Sequence, residues 1–235
     1  MPSERFVVSL QNHDQVGNRA CGERITDLVT LDRARAAAAL VLLGPYVPML
    51  FQGEEFAAST PFPYFADHGG ELADAIREGR RSEFAEFDWD PRRVLDPIDP
   101  RTFAAAALHW NEPLEADHAA TLAWYRHLLD LRRTVPSLAG GGGRPTTRAI
   151  GDVVEMVRGD VTVLAHIGRS AEPAGPAGAA DGTGPAGAAG GIPATTIDLD
   201  AREILASSGP ITFAGTAAGL SPGACLVLRD HDPAA

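Results

Sequence analysis

Short apolar runs and an alanine-rich segment shape the first part of the chain. Residues 5–10 (RFVVSL) and 46–51 (YVPMLF) are apolar runs bounded by polar or glycine-containing stretches, which is typical of strands buried on both faces. Residues 31–43 are rich in alanine and favour a helix. The order of strand, polar loop, helix, strand and polar loop predicts βαβ units, whose functional loops follow the carboxyl ends of the parallel strands.

Two further helices are predicted at 102–109 and 117–134. Asp117 is a suitable N-cap for the second of them, because its carboxylate can accept a hydrogen bond from the first backbone N–H groups. One stripe of this helix recurs at helical spacing and is expected to face the core: Leu122, Tyr125 and Leu129.

The sequence changes character near residue 139, where Gly140 to Gly143 predict a linker. Residues 153–157 and 161–167 are rich in β-branched residues and flank Gly159-Asp160, which predicts a hairpin. Residues 170–194 are almost entirely alanine, glycine and proline, so we predict a disordered insertion that cannot bury enough apolar surface to order itself. Further strands of this small antiparallel β domain are predicted at 197–199, 211–213 and 224–228.

These elements leave the fold of the first part open between two interpretations. A parallel sheet of two strands cannot stand alone, because its faces and both its edges need covering. A (β/α)8 barrel needs roughly 250 residues before any appended domain, and only two strand–helix units are predicted before residue 139. Either this part is an unusual small fold, or the front of a barrel is missing.

The chain of 235 residues has a net charge of −11, from 20 basic and 31 acidic residues. This balance argues against a nucleic acid or an anionic membrane as partner, because both require a basic surface. No apolar run approaches the roughly 18 residues of a membrane span, and the N-terminus lacks the pattern of a secretory signal. Cys21 and Cys225 are expected to be reduced packing residues. We expect a soluble, cytoplasmic protein.

The densest polar cluster lies directly after the first predicted strand, at residues 11–15 (QNHDQ). At the carboxyl end of a barrel strand, His13 and Asp14 would stand together at the mouth of the barrel. Asp14 could accept hydrogen bonds from vicinal sugar hydroxyls, and His13 could donate another. From the residues alone, this function and an Asx-rich turn in which Asn12 and Asp14 cap the backbone are equally open.

A second polar cluster follows the second predicted strand. Gln52, Glu54 and Glu55 emerge there, either at the active face or simply as acidic residues that suit a helix N-terminus. Phe62 and Phe65 lie in the proline-containing loop beyond it, where aromatic rings could stack on sugars or pin the loop to the body of the protein.

Residues 77–84 (REGRRSEF) are a mixed-charge run, which is usually a solvated face. The sequence contains no phosphate-binding glycine loop, zinc-ligand spacing, nucleotide fingerprint or G-x-S-x-G elbow. It also lacks a clustered calcium loop. We therefore expect neither a metal nor a cofactor.

Taken together, these clusters resemble one family. Four segments, in their order and spacing, are similar to the C-terminal half of maltooligosyltrehalose trehalohydrolases, which belong to the α-amylase superfamily (glycoside hydrolase family 13): QNHDQVGNRA, GER, GPYVPMLFQGEEFAASTPFPYFADH and REGRRSEF. The GNRA–GER continuation and the TPFPYF loop indicate the trehalose-releasing branch. The resemblance implies an α/β plus β fold. Residues 1–139 would be the C-terminal part of a (β/α)8 TIM barrel with its strands 7 and 8, and residues 140–235 a small antiparallel β-sandwich domain.

The resemblance also implies roles for individual residues. Asp14 would be the carboxylate that stabilises the transition state through the hydroxyls of the sugar being cleaved, and His13 would hydrogen-bond the same ring. The residues expected to bind substrate are Asn12, His13, Gln15, Phe62 and Phe65, and those expected to support the site from behind or shape its loop are Gln52, Glu54 and Glu55.

The family reaction is hydrolysis of the α-1,4-glucosidic bond next to the terminal trehalose unit of maltooligosyltrehalose. It needs a nucleophilic Asp and a general-acid Glu about 5 Å apart. In the superfamily these residues lie on the fourth and fifth barrel strands, and neither strand has a match here. We therefore expect a truncated enzyme that is inactive alone, with Met1-Pro2-Ser3 at an internal start and a complementing N-terminal barrel chain as a candidate partner.

Two alternatives to the truncated enzyme remain open. The first is a non-catalytic module that binds an α-glucan or docks on a partner supplying the other strands. The second is a domain that does not persist, because its exposed parallel-sheet edges would template aggregation.

Overall fold

The computed structural model of the protein describes residues 3–85, 94–139, 144–168, 195–200 and 202–230. The insertion predicted at 170–194 lies outside the described residues. The chain divides into two compact units, and neither is continuous in sequence; the predicted domain bounds at 139 and 140 stay a prediction. The sheet unit comprises Met1–Leu10, Val29–Met49 and Ala123–Ala235, and the loop unit comprises Gln11–Leu28 and Leu50–Leu122.

The helices of the described residues follow the predictions closely in the sheet unit and less closely in the loop unit. They are α1 (His13–Gly17), α2 (Ile25–Leu28), α3 (Leu31–Leu42), α4 (Gly70–Ala85), α5 (Pro100–Ala105) and α6 (Ala116–Thr134). The predictions for α3 and α6 are confirmed. Helix α5 begins two residues earlier than predicted, because Asp99 caps it by accepting a hydrogen bond from the backbone N–H of Arg101 at 2.8 Å, and it ends at Ala105 instead of residue 109.

The strands of the described residues are short at the N-terminus and longer after residue 145. They are β1 (Val7–Val8), β2 (Val47–Pro48), β3 (Thr146–Ile150), β4 (Val153–Arg158), β5 (Val161–His166), β6 (Thr195–Asp198), β7 (Arg202–Ser208), β8 (Ile211–Ala214), β9 (Ala217–Leu220) and β10 (Cys225–Asp230). Strands β3, β7 and β9 were not among the predicted elements. They are polar, exposed or rich in small residues, so their pairing partners and not their composition make them strands.

Strands β1 and β2 form a parallel pair in which Val7 lies opposite Val47. The predicted runs of six residues thus shrink to strands of two residues each. The predicted burial of both faces is wrong for the described structure: Phe6, Val7 and Val47 are exposed by 47%, 63% and 42%. The reason is that no third strand among the described residues pairs with this sheet.

The other described strands form two antiparallel sheets, of order β3-β4-β5-β10-β7 and β6-β9-β8. The predicted hairpin is confirmed, with Arg158 opposite Val161 across the Gly159-Asp160 turn. Gly159 has a φ of 58°, a conformation that glycine adopts without steric cost.

The centre of the five-stranded sheet is buried on both faces, which explains why every residue of β5 is buried. Val163 and Val227 face a cluster that includes Leu42 of α3 and Leu128 of α6. Their sequence neighbours Leu164, Leu226 and Leu228 point the opposite way. They form a second cluster with Ala218 and Leu220 of β9, in the three-stranded sheet. Because successive strand residues alternate between faces, helices cover one face and a sheet covers the other.

The predicted stripe of α6 is confirmed only at Tyr125, because Leu122 is half-buried and Leu129 is exposed. Leu129 is 38% exposed, whereas Leu128 is fully buried beside Tyr125. Asp117 lies within the first turn of α6 and not at its N-cap, because the helix begins at Ala116.

Two arginines hold the carboxyl end of α3 within the sheet unit. Arg158 donates from Nη1 to the carbonyl oxygens of Leu43 at 2.7 Å and Gly44 at 3.1 Å. Arg132 donates from Nη1 to the Leu42 carbonyl at 2.7 Å. Burial lowers the pKa of both guanidinium groups. They satisfy carbonyl groups that have no partner within the helix, at the end where positive charge is favourable.

Candidate functional site

The QNHDQ cluster opens the loop unit and forms the start of α1. Asn12 is its N-cap, and the Asn12 Oδ1 accepts a hydrogen bond from the backbone N–H of Gln15 at 2.8 Å. Gln11 is buried, and its Oε1 accepts a hydrogen bond from the backbone N–H of Ile25 at 3.0 Å. The capping interpretation is thus confirmed for Asn12, and the cluster has a fixed backbone.

The side chains of His13, Asp14 and Gln15 are exposed on this short helix. One oxygen of the Asp14 carboxylate, Oδ1, accepts a hydrogen bond from Nδ2 of Asn18 at 3.4 Å. A carboxylate accepts about four hydrogen bonds, so Asp14 retains capacity for hydroxyl donors. The structure therefore exposes three of the residues expected to contact a sugar, His13, Asp14 and Gln15, on one short helix. Their roles stay predictions.

The GER segment joins α1 to the loop that follows β2 in sequence. Arg24 is buried, with 1% of its surface exposed. Its Nε donates to the carbonyl oxygen of Thr60 at 2.5 Å, and its Nη1 donates to that of Gln52 at 2.8 Å. The guanidinium also lies 5.2 Å from the centroid of the Phe51 ring. A charged side chain in this position links residues 28 and 36 positions away in sequence.

Burial lowers the pKa of the Arg24 guanidinium, which remains positively charged at neutral pH. Four carboxylates oppose that effect and supply the compensating negative charge: Asp27, Glu54, Glu55 and Glu112. A buried charge is tolerated when such partners surround it.

Gln52, Glu54 and Glu55 belong to the same loop. Gln52 is exposed, Glu54 is 5% exposed and Glu55 is half-buried. Glu54 and Glu55 open a one-turn 3-10 helix, Glu54–Phe56, in agreement with the alternative that they occupy a helix N-terminus. Their negative charges act on Arg24. The loop-shaping role predicted for Gln52, Glu54 and Glu55 stays a prediction.

Phe62 and Phe65 are packed into a row of aromatic rings. The centroids of Phe51 and Phe62 lie 5.1 Å apart, those of Phe62 and Phe65 5.6 Å, and those of Phe65 and Phe103 5.1 Å, all in edge-to-face arrangements. These contacts are what a loop-pinning role requires. The substrate-binding role of the two rings stays a prediction.

The REGRRSEF run is not a solvated face throughout, because Arg80 is buried. The Arg80 Nη2 donates to the Gly17 carbonyl, and Nη1 donates to Asn18 Oδ1 at 3.3 Å. The guanidinium lies 4.4 Å from the centroid of the Phe84 ring and 5.3 Å from that of Tyr64. The expectation of a solvated side chain is wrong for Arg80. Folding brings it to two hydrogen-bond acceptors at the carboxyl end of α1, the Gly17 carbonyl and the Asn18 side chain.

Glu112 locks the loop that carries Glu54 to a later segment of the same unit. It accepts hydrogen bonds from the backbone N–H of Ser59 at 3.2 Å and from the Ser59 hydroxyl. Burial acts to raise the pKa of the Glu112 carboxyl, but the Ser59 hydrogen bonds and the nearby His118 and His109 lower it. The pKa lies below its ordinary value of 4.5.

This shift predicts a pH-dependent contribution of Glu112 to stability. A carboxyl whose pKa is depressed by folding stabilises the protein above the unfolded-state pKa, and the stabilisation is lost as the pH falls through the folded-state pKa. We expect Glu112→Gln to lower the free energy of unfolding by about 1–3 kcal/mol at neutral pH. The difference from wild type should shrink as the pH drops below 4.5.

Urea titrations of both proteins between neutral pH and about pH 3 measure this difference across the carboxyl range. Ser59→Ala is the matched variant, because it removes one donor and should raise the pKa of Glu112 toward its ordinary value. If the free energies of unfolding of wild type and Ser59→Ala differed by the same amount at every pH, Ser59 would not favour the ionised form of the Glu112 carboxyl.

Sequence reasoning missed three residues of this site: Arg24, Arg80 and Glu112. Arg24 and Arg80 lie within motifs that were recognised, so the signal was present, but charge patterning alone assigns such residues to the surface. Among the described residues, no group of three His, Cys, Asp or Glu side chains is arranged to hold a metal ion. No helix in the described parts of the chain is long and apolar enough to cross a membrane.

Comparisons with known proteins bear on the predicted resemblance. No family model matches the chain. The malto-oligosyltrehalose trehalohydrolase of Arthrobacter ramosus is 51% identical over 137 residues, which are 58% of this chain and 24% of that protein. The protein of the same name from Deinococcus radiodurans is 50% identical over 141 residues, which are 59% of this chain and 23% of that protein.

Solved structures agree with these relatives. The crystal structure of a Salmonella typhimurium protein described as an α-amylase matches 97% of this chain and 36% of its own, at 31% identity and a TM-score of 0.71. This chain spans about a quarter of the length of the curated relatives it matches. The resemblance predicted from the motifs is confirmed: the chain is similar to the C-terminal portion of maltooligosyltrehalose trehalohydrolases, glycoside hydrolases of the α-amylase family.

Proposed function

We propose that the chain provides part of the substrate site of a trehalose-releasing α-glucan hydrolase. The observation that carries this proposal is the exposed Asp14 carboxylate beside His13 on α1, a helix whose start is held by Asn12. Maltooligosyltrehalose would bind with ring hydroxyls donating to Asp14. The relatives named above, at about half identity, support this choice of substrate.

Asp14 would act on the transition state and not on the bond directly. Cleavage of a glycosidic bond passes through a state in which the ring carries positive charge and flattens, and hydrogen bonds to its hydroxyls strengthen as it forms. A carboxylate that accepts such hydroxyls therefore binds the transition state more tightly than the ground state. His13 would donate to another oxygen of the same ring.

The nucleophile and the general acid of the reaction must be two carboxyl groups about 5 Å apart on either side of the scissile bond. The resemblance assigns them to barrel strands that have no match in this chain. We propose that a complementing polypeptide presenting those strands supplies the pair, and that residues 1–139 complete its barrel. No third strand of the described residues pairs with β1 and β2, and Phe6, Val7 and Val47 are exposed there. This supports the proposal, because parallel sheets are normally covered on both faces.

The exposed β1–β2 surface also favours the second candidate function, a non-catalytic module that docks on a partner. Phe6 and Tyr46 meet edge to face there, with centroids 6.2 Å apart. A groove of about 810 Å³ runs beside them, with Leu40 and Met156 among its lining residues. Exposed apolar surface beside an unpaired strand edge is typical of a site where another polypeptide docks or adds a strand.

The test compares the purified chain with Asp14→Asn for trehalose release and for binding of maltooligosyltrehalose. We expect neither protein to release trehalose. We expect the wild-type chain to bind the sugar and Asp14→Asn to bind about tenfold more weakly, since a hydrogen bond to a charged group contributes about 1.5–3 kcal/mol. Asp130→Asn, in the sheet unit, is the control and should leave the affinity unchanged.

Each outcome of this test has a clear meaning. Trehalose release that Asp14→Asn abolishes would show that this chain contains its own catalytic pair, which contradicts the complementing polypeptide. Binding that is equal in wild type and Asp14→Asn would remove Asp14 from the site. Absence of binding to wild type would leave the docking module as the better proposal.

A further inference from the structure

Arg80 connects α4 to the loop that ends α1, across 62 positions of sequence. Only 9% of its side chain is exposed. Its guanidinium lies close to the rings of Tyr64 and Phe84, and its N–H groups donate to the Gly17 carbonyl and the Asn18 amide oxygen. Glu83, one turn further along α4, accepts from Nη1 at 3.0 Å and balances the charge.

Asn18 lies between this guanidinium and Asp14. Its backbone N–H donates to the Asp14 carbonyl at 3.0 Å, and its side-chain Nδ2 donates to the Asp14 carboxylate at 3.4 Å. An Asn amide can be turned so that its oxygen and nitrogen exchange places. Arginine has donors only, so it requires the Asn18 oxygen to face it. With the Asn18 Oδ1 turned to Arg80, the Asn18 Nδ2 points to the Asp14 carboxylate.

We propose that Arg80 is a positioning residue for Asp14, acting through the Asn18 amide. The inference rests on the proposed function, in which Asp14 contacts the glucan. Arg80 sets the orientation of the amide, the amide donates to one carboxylate oxygen, and the other oxygen is left to accept sugar hydroxyls. The fork of an arginine is needed because Gly17 and Asn18 are contacted by different nitrogens.

Arg77 on the same helix provides a matched control. It forms ion pairs with Asp96 at 3.0 Å and with Asp74 at 3.0 Å. Arg77 thus has acidic partners of its own, whereas Arg80 donates to Gly17 and Asn18. Arg80→Lys and Arg77→Lys both retain the charge and remove the fork. Only Arg80→Lys should change the orientation of the Asn18 side-chain amide.

The first arm of the experiment needs no ligand. The side-chain amide resonances of Asn18 are followed by NMR in wild type, Arg80→Lys, Arg77→Lys and Asp14→Asn. We expect shifts in Arg80→Lys and Asp14→Asn and none in Arg77→Lys. Unshifted resonances in Arg80→Lys would overturn the proposal, whatever the chain binds.

The second arm is a double-mutant cycle on the affinity for maltooligosyltrehalose. We expect Arg80→Lys to weaken binding about fivefold when Asp14 is present and not at all in the Asp14→Asn background, as for groups that share one network. An equal loss in both backgrounds would indicate a merely structural role and overturn the proposal. If the wild-type chain binds no glucan, the proposed function fails, and the NMR arm still decides whether Arg80 orients the amide.

A variant that keeps Arg80 guards against misfolding of Arg80→Lys. Asn18→Asp still accepts from the guanidinium but has no donor for Asp14. It should weaken binding as Arg80→Lys does. Binding as tight as that of wild type would show that the amide relay is not used.

Discussion

We expect Arg24→Ala to lower the free energy of unfolding of the loop unit by about 3–5 kcal/mol, the cost of removing one partner from a buried charge network. The substitution deletes the donors to the carbonyl oxygens of Thr60 and Gln52. It also leaves Glu54 and Glu112, both buried, without the positive charge that offsets their own. Because no water can replace a donor in a packed interior at no cost, each orphaned acceptor adds to the penalty.

Hydrogen exchange read by mass spectrometry on peptides from residues 11–28 and 50–65 measures this effect within the loop unit. Arg101→Ala is the control, since Arg101 pairs with Asp99 at the surface of the same unit with 91% of its side chain exposed. We expect no measurable change from that variant. Protection factors in Arg24→Ala that match those of wild type would show that the loop is held by other contacts.

Gly22→Ala has the second large expected effect, a loss of about 2–6 kcal/mol from backbone strain and overpacking together. Gly22 has a φ of 70°, a left-handed conformation that costs a residue with a Cβ about 1–3 kcal/mol. A Cβ there would lie 2.2 Å from the backbone nitrogen of Pro63, so the chain must move. Overpacking of this kind adds about 1–3 kcal/mol. The hydrogen bond from the Phe62 N–H to the Gly22 carbonyl, 2.9 Å long, would be strained as well.

Gly79→Ala is the matched substitution for this experiment. Gly79 lies within α4, where an added Cβ meets nothing within 4 Å. Alanine should stabilise that helix by about 0.5–1 kcal/mol, because glycine loses more backbone freedom on folding. The same exchange of glycine for alanine should thus have opposite signs at the two positions in a urea titration. A neutral Gly22→Ala would mean that the loops around Gly22 and Pro63 separate without cost.

Both predictions concern the place where two sequence motifs meet. GER and the TPFPYF loop identified the trehalose-releasing branch, and the structure packs them against each other through Gly22, Arg24 and Phe62. This contact makes the two motifs one packed unit of the loop unit. Loosening it should also weaken the sugar binding proposed for α1, because the backbone N–H of Ile25 donates to the buried Gln11 just before that helix.

The sequence by itself determined the elements whose signals are local. Helices α3 and α6 follow from propensity and periodicity over many residues, and the β4–β5 hairpin follows from β-branched runs around a glycine turn. The motifs after the two apolar runs were sufficient to identify the family resemblance. They also placed a candidate site at Asn12 to Gln15, whose role in sugar binding stays a prediction.

Only the tertiary structure decided which charged residues lie inside and what they hold. Arg24, Arg80, Arg158 and Glu112 resemble surface residues in the sequence, yet each is buried on backbone or side-chain groups between 20 and 115 positions away. The tertiary structure also decided which of two neighbouring leucines of α6 is buried: Leu128 is buried and Leu129 is exposed. Burial is a property of the partners that folding brings together, and the hydrogen bonds that make a buried charge tolerable come from segments that no local pattern connects.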